Sequence, residues 1–252
     1  RDRSPSRGLG DVYKRQDSIP ADASVPSAHC SIPSLLMKCA RTGVKCAADK
    51  EHVYCHGALS GFGFGGIPDR ERSACNLSVL PEGSDSKHGG KAHFMCPDIA
   101  RMQLDGIKDY GDGNDAIVFQ DLEEAMAEGR DIEVVVFIAD PTRISALALL
   151  AGFDKKTPGA AMIAPYGHAC QQVYAIPRAE GESDDPHAVL GMTDLYARRF
   201  IDHDKFTFSV PYKLYLRMEQ NVDRSFLGKD SWPDTLGTVS YTHLRAHETD
   251  SY

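Results

Sequence analysis

One continuous stretch, residues 131–175, constrains the fold of this chain more than any other part of it. It reads DIEVVVFIADPTRISALALLAGFDKKTPGAAMIAPYGHACQQVYA. Residues 132–139 form a β-branched apolar run of strand length, which is the pattern of a strand buried on both faces. Residues 160–164 form a second apolar run, and a tight turn after it places Cys170 at the start of a helix. The stretch therefore predicts strand, helix, strand and helix in succession.

The helix between these two strands has recognisable start and stop signals. Asp140 can cap its N-terminus, Pro141 suits its first position, and Gly152 can end it in the left-handed conformation. Four residues form one apolar stripe between these signals: Ile144, Leu147, Ala148 and Ala151.

The strand at residues 132–139 is expected to be central in its sheet. Successive side chains of a strand point to opposite faces. Val134, Val136 and Ile138 should therefore share one face, with Val135 and Phe137 on the other. We expect helices to cover both faces.

Strand and helix patterns alternate along much of the remaining chain. We expect helices at residues 33–42 and 97–110, a helix capped by Asp121 and ending at Gly129, and a helix starting at Pro211. Strands are expected at residues 52–55, 76–80, 116–119, 188–192 and 206–210. This alternation indicates an α/β fold, a layered and largely parallel sheet with helices on both faces. An α+β arrangement with a mixed sheet is the alternative.

Composition excludes several classes of protein. The 252 residues are 42% hydrophobic, which suits a globular chain, yet no apolar run approaches the roughly 20 residues that span a bilayer. The formal charge of -8, without a basic stripe, argues against nucleic-acid binding. Seven cysteines without the spacing of a small disulfide scaffold fit a reducing compartment. We therefore expect a cytoplasmic protein, with a small molecule as its possible partner and neither nucleic acid nor membrane.

The two ends of the chain differ from its interior. Residues 1–16 and 239–252 resemble translated sequencing-adapter sequence at the ends of metagenomic gene fragments, and neither has apolar periodicity. We therefore expect residues 17–238 to form a single α/β domain and both end segments to contribute nothing to its core. His243 and His247, four residues apart, lie in the second segment and are not interpreted as a site.

Three cysteines stand out by their positions. Cys30 and Cys170 each precede or begin a predicted helix, where backbone N–H groups favour the thiolate. Cys55 opens a glycine-rich loop. Each has a histidine within two positions: His29, His56 and His168. Cys39 is more simply a core residue of its helix.

These cysteines support two hypotheses about chemistry. In the first, Cys30, Cys55 and Cys170 ligate zinc or an iron–sulfur cluster, with a position left open for a small ligand. In the second, Cys170 is the nucleophile of a thiol-dependent enzyme, with His168 as its base. Buried structural cysteines are the simpler alternative, because free cysteine is often buried. The absence of a C-x-x-C pair weighs against the metal site, and whether the protein is an enzyme stays open.

A third hypothesis is a non-catalytic module that binds a small molecule. Its pocket would be lined by the glycine loop, with Gly57, Gly61 and Gly63 as candidates, and by Tyr166 and Gly167. The loop also satisfies the G-x-G-x-x-G dinucleotide pattern, but that pattern needs a preceding strand and a helix opening at its third glycine. A close-packed loop is the simpler interpretation. Arg198 is a candidate for binding an anionic group.

Six segments together resemble a known family. They are HCSIPSLLMKCAR, YCHGALSGFGFG, VVVFIADPTRISALALL, APYGHACQQ, GMTDLYARRF and FTFSVPYKLYLRM. In this order they are similar to the successive motifs of the domain-of-unknown-function family 169, the archaeal conserved region family. The resemblance spans roughly residues 26–232, including the closing SFLGKDSW.

The resemblance implies a cytoplasmic prokaryotic α/β protein, and it supplies no mechanism. Members of the family usually begin with an apolar strand before the proline-rich connection. Adapter-like residues stand at that place here. We therefore expect a fragment truncated at its N-terminal strand, with an edge of the sheet missing.

Overall fold

A computed structural model describes residues 11–16, 18–26, 31–53, 55–64, 69–79, 90–106, 116–166 and 168–229. Its helices are α1 Ser31–Thr42, α2 His56–Gly61, α3 Arg70–Leu77, α4 Pro97–Asp105, α5 Leu122–Ala127, α6 Pro141–Ala151, α7 Ile176–Glu180 and α8 Tyr212–Asn221. A π-helical turn, Gln171–Ala175, leads directly into α7. Among the described helices, none is long and apolar enough to cross a bilayer.

Seven strands form one mixed sheet. They are β1 Asp11–Gln16, β2 Cys46–Ala48, β3 Ala116–Asp121, β4 Val134–Ala139, β5 Met162–Ile163, β6 Ala188–Gly191 and β7 Phe206–Pro211. Their order across the sheet is β2-β3-β1-β4-β7-β6-β5. The α/β fold is thereby confirmed, and its sheet is mixed, a feature expected only in the α+β alternative.

The expectation of a largely parallel sheet is wrong. Of the described strand pairs, only β5 and β6 run parallel, whereas the other neighbours are antiparallel. Alternation of strands and helices in the sequence does not fix the direction of neighbouring strands when consecutive strands are not adjacent in the sheet. β5 follows β4 in sequence but lies at the far edge, with β7 and β6 between them.

The predicted central strand is confirmed as β4, the middle strand of the sheet. Val134 and Val136 are fully buried on one face, and Ile138 packs against the same cluster. Val135 and Phe137 lie on the other face. The alternation of β4 side chains therefore contributes to two separate apolar layers.

Helices cover both faces of the sheet, as expected. On the Val135 face, α5, α6 and α8 contribute the apolar residues of the cluster. On the Val136 face, the cluster contains side chains of α1, α2 and the π-helical turn. The residues singled out by the sequence analysis, Cys55 and Cys170, belong to this second layer.

Local signals predicted several boundaries well. Asp140 caps α6 by accepting a hydrogen bond from the Arg143 N–H, and Asp121 caps α5 in the same manner. Gly152 ends α6 but has φ -92°, so the expected left-handed conformation is wrong there. The strands expected at residues 52–55 and 76–80 are also wrong, since Cys55 caps α2 and residues 70–77 form α3. Both runs are too short for periodicity to separate strand from helix.

The first end segment requires a correction. Asp11–Gln16 forms β1, which is hydrogen-bonded between β3 and β4. These six residues are therefore part of the sheet, and β1 occupies an interior position in it. Backbone hydrogen bonds depend little on side-chain type, so absent apolar periodicity does not exclude a strand. Residues 1–10 and 230–252 lie outside the described residues.

Candidate functional site at the carboxyl edge of β5 and β6

The parallel strands β5 and β6 create one edge of the sheet where two chain segments emerge side by side. The π-helical turn and α7 connect the two strands. The segment after β5 carries Tyr166 and His168, and the segment after β6 carries Thr193 and Asp194. Ligands of α/β proteins commonly bind at the carboxyl ends of parallel strands. This edge is therefore the candidate functional site.

His168 and Asp194 form the polar centre of the site. Nδ1 of His168 lies 3.7 Å from Oδ2 of Asp194, an ion-pair distance slightly longer than a direct hydrogen bond. The backbone N–H of Tyr196 donates to the other carboxylate oxygen, Oδ1, at 2.9 Å. The backbone N–H of His168 is held by Oε1 of Gln171. Both residues are thus fixed by contacts on each side.

A third segment, residues 91–94, completes the site. Nδ1 of His93 lies 3.3 Å from the hydroxyl of Tyr166, and the ring of Phe94 packs edge-on against Tyr166 with centroids 4.2 Å apart. The backbone N–H groups of His93 and Phe94 both donate to the carbonyl of Leu77, at the end of α3. This segment is therefore anchored by α3, far in sequence from β5 and β6.

The backbone is strained at two places, and both adjoin the site. Among the described residues, Ala92 (φ 53°) and Met192 (φ 60°) are the non-glycine residues with positive φ. Ala92 directly precedes His93, and Met192 lies two residues before Asp194. A left-handed conformation at such residues costs about 1–3 kcal/mol and often marks functional sites. The strain thus coincides with the residues that meet at this edge.

Two consecutive buried glutamines tie the segments together. The amide of Gln172 donates to the carbonyl of Pro165 and to the hydroxyl of Thr193, while its oxygen accepts from the Thr193 N–H. The amide of Gln171 donates to Ser60 in α2. Gln172 therefore braces the segments after β5 and β6 against each other, and Gln171 joins them to α2.

The surroundings move the pKa values of three site residues in different directions. Burial alone would raise the pKa of Asp194, but the His168 imidazole and a backbone N–H outweigh it and hold that pKa below its ordinary value. Burial, with the nearby charge of Asp194, raises the pKa of Tyr166 to about 12. Burial also lowers the pKa of His93. At neutral pH the site therefore presents a carboxylate, a phenolic hydroxyl and a neutral imidazole.

The cysteines fall next to this site. Cys170 is buried in the apolar cluster on the Val136 face of β4. Cys55 is half-buried and packs against the same cluster. We expected Cys39 to be buried in the core, away from these two cysteines. It is buried, but it belongs to the same cluster, so the expected separation is wrong. Cys30 lies outside the described residues. Within the described part, no three His, Cys, Asp or Glu side chains are grouped to hold a metal ion.

The glycines of the glycine-rich loop have a packing role. A Cβ atom on Gly57 would lie 2.9 Å from Cγ of His168, and one on Gly61 would lie 2.6 Å from Cβ of Cys170. These two glycines let α2 approach the start of the π-helical turn. Gly61 ends a helix instead of following a strand, so the dinucleotide pattern does not have its required context. Gly63 has φ +68°, a left-handed conformation, and it lies between the buried residues Phe62 and Phe64.

Arg198, the candidate anion-binding residue, is engaged with backbone groups. Its guanidinium donates to the carbonyls of Asp202, His203 and Lys205, and lies over the ring of Phe206. These contacts close the loop before β7 and give Arg198 a structural function.

Sequence reasoning missed Asp194, His93 and the two glutamines. Asp194 and Thr193 directly follow the strand predicted at residues 188–192. Polar residues at a strand end could therefore have indicated the site. His93 had none, because its place depends on α3, which the sequence analysis did not predict.

The fold and site define a class: a mixed-sheet α/β protein with a polar, aromatic site beside its parallel strand pair. The chain matches the model of the family described as uncharacterised ArCR, domain-of-unknown-function family 169, over residues 11–221. It belongs to that family, as the motifs indicated. No curated protein and no solved structure matches it.

Proposed function

We propose that this protein is a small-molecule-binding module whose ligand occupies the carboxyl edge of β5 and β6, against Tyr166, His168, His93 and Asp194. One observation carries the proposal. Three segments distant in sequence converge there, and both strained residues, Ala92 and Met192, adjoin that convergence.

The chemistry of these side chains suits a small polar ligand. The Tyr166 hydroxyl stays protonated at neutral pH and can donate a hydrogen bond, while Asp194 can only accept one. A neutral His93 can do either. Aromatic rings beside a few convergent polar groups are the usual composition of a ligand site.

A fragment screen tests this proposal. The full-length chain, labelled at histidine and tyrosine, is screened by NMR against a library of small aromatic and heterocyclic compounds. We expect hits to shift the signals of Tyr166, His93 and His168. Tyr166→Ala should weaken binding of those hits at least tenfold, because the variant removes both a ring face and a hydroxyl.

The matched control is Tyr212→Ala. Tyr212 stacks on Tyr215 at the opposite face of the sheet, so its loss should leave binding unchanged. Hits that shift Tyr212 and Tyr215, or equal weakening by the two variants, would contradict the proposal. Thermal unfolding of both variants establishes that each is folded.

A cysteine-ligated zinc or iron–sulfur site is a second candidate function, with Cys30, Cys55 and Cys170 as ligands. Its support is the common cluster of Cys55 and Cys170. The sulfur of Cys55 also accepts a hydrogen bond from the Ala58 N–H at 3.4 Å, a contact that favours a thiolate. α1 begins directly after Cys30 and contributes Leu35 and Leu36 to the same cluster.

Metal analysis after anaerobic purification tests this candidate. We expect bound zinc or iron, with visible absorbance if a cluster is present, and loss of the metal in Cys55→Ser. The matched control Cys96→Ser should keep it, since Cys96 precedes α4 and is not a member of the cluster that contains Cys55 and Cys170. Equal metal content in both variants would exclude Cys55 as a ligand.

Thiol catalysis by Cys170 has less support. Only 6% of Cys170 is exposed, and its backbone lies directly against Gly61. A nucleophile must reach its substrate, and reactive cysteines are partly exposed. The burial of Cys170 agrees better with a ligand or a core residue.

A further inference from the structure

We propose that the ligand of this site is a small aromatic carboxylate, whose ring lies against Tyr166 and Tyr196 and whose carboxylate pairs with Lys91. The inference rests on the proposed function, because it names the chemical class of ligand for the same site.

Four rings from three segments form what we call the aromatic wall: His93, Phe94, Tyr166 and Tyr196. The His93 ring lies 6.1 Å from the rings of both Tyr166 and Tyr196. Tyr196 is 49% exposed, so part of the aromatic wall is open to solvent. Aromatic rings favour edge-on and offset contacts with one another, which gives a planar ring an advantage over a saturated one of equal size.

The charge beside the aromatic wall comes from Lys91. Its ammonium lies 4.0 Å above the centre of the Tyr196 ring. The backbone N–H of Lys91 donates to the carbonyl of Asn76 at 2.7 Å, which fixes the base of this exposed side chain. None of the described ion pairs uses Lys91.

Asp194, the carboxylate of the site, does not take this position. Its two oxygens face the His168 imidazole and the backbone N–H of Tyr196. Asp194 and Lys91 interact electrostatically at a distance, without a direct ion pair. Lys91 therefore keeps donors directed to solvent, beside an exposed ring face.

A cationic ligand fits this arrangement less well. Cations are attracted to the faces of tyrosine rings. The Lys91 ammonium already lies over one face of the Tyr196 ring, where a cationic group of a ligand would bind. An anionic group therefore complements the aromatic wall, and a planar carboxylate combines that charge with ring contact.

Four matched compounds test the inference on the full-length chain: benzoate, benzamide, cyclohexanecarboxylate and benzylammonium. Benzamide removes the charge of benzoate, cyclohexanecarboxylate removes its aromatic ring, and benzylammonium reverses its charge. Dissociation constants are measured by NMR titration. We expect benzoate to bind roughly fivefold more tightly than benzamide, the ratio expected for one solvent-exposed ion pair, and more tightly than the other two.

Lys91→Gln should abolish the preference for benzoate over benzamide. Lys156→Gln, at an exposed lysine after α6, is the control and should keep the preference. Added salt should weaken benzoate binding and leave benzamide binding unaffected.

The outcomes separate this inference from the proposed function. Binding without preference for benzoate, or a preference that survives Lys91→Gln, overturns the aromatic carboxylate and leaves the binding site standing. No binding of benzoate likewise overturns the inference. The fragment screen then decides on the site itself, since its hits need not be carboxylates.

Discussion

Val136→Asp should abolish soluble, folded protein. Val136 is fully buried in the central strand, between the cluster of α1 and α2 and the rest of the sheet. An unpaired charge in such a place costs several kcal/mol, out of a total stability of about 5–15 kcal/mol for a typical domain. Its cross-strand neighbour on β7 is Ser209. One serine hydroxyl cannot replace the hydration of a carboxylate.

The measurement is the yield of soluble protein and its circular dichroism spectrum. Leu149→Asp is the matched control, because Leu149 is 61% exposed on α6 and its substitution should leave the fold intact. Soluble protein with a native spectrum from Val136→Asp would show that β4 is not enclosed by two layers.

Gly61→Ala should destabilise the protein by about 1–3 kcal/mol, the range for overpacking a filled interior. The added methyl carbon would lie 2.6 Å from Cβ and 2.8 Å from the backbone carbonyl carbon of Cys170. Backbone atoms cannot rotate away, so α2 would have to move from the start of the π-helical turn. For a chain of this size the change lowers the Tm by roughly 2–12 °C.

Gly106→Ala is the control for this prediction. Gly106 follows α4 with φ -72°, and the nearest atom to an added Cβ is the Gln103 carbonyl oxygen at 3.5 Å. That substitution should be neutral or stabilising by about 0.4–1 kcal/mol, because it reduces the freedom of the unfolded chain. Equal Tm values for the two variants would mean that α2 packs less closely than the structure has it.

The strongest success of sequence reasoning concerns β4. Its alternating side chains divide between two layers as expected, because alternation is a geometric property of any strand. The helix after it is also predicted well, since Asp140 and Pro141 act locally. Such features depend on residues close in sequence.

Features that depend on distant residues were not predictable from periodicity. The position of β5 at the far edge depends on β6 and β7, which come later in the chain. His93 reaches the site because its backbone is bound to the end of α3. Cys55 and Cys170 belong to one apolar cluster, and the small size of Gly57 and Gly61 allows α2 to lie close to residues 168–171. This close contact has no local signature in the sequence.

The central place of β1 has a consequence for the order of folding. Its partners, β3 and β4, lie more than 95 positions away in sequence. The ladder with β3 can form only after the chain has been synthesised to residue 121, and the ladder with β4 only after residue 136. Pairings of such long range give a high contact order, and ln kfold falls as contact order rises. On the ribosome, β1 must therefore wait as an unpaired strand, with its hydrogen-bonding groups exposed to other chains, until β3 and β4 emerge on either side of it.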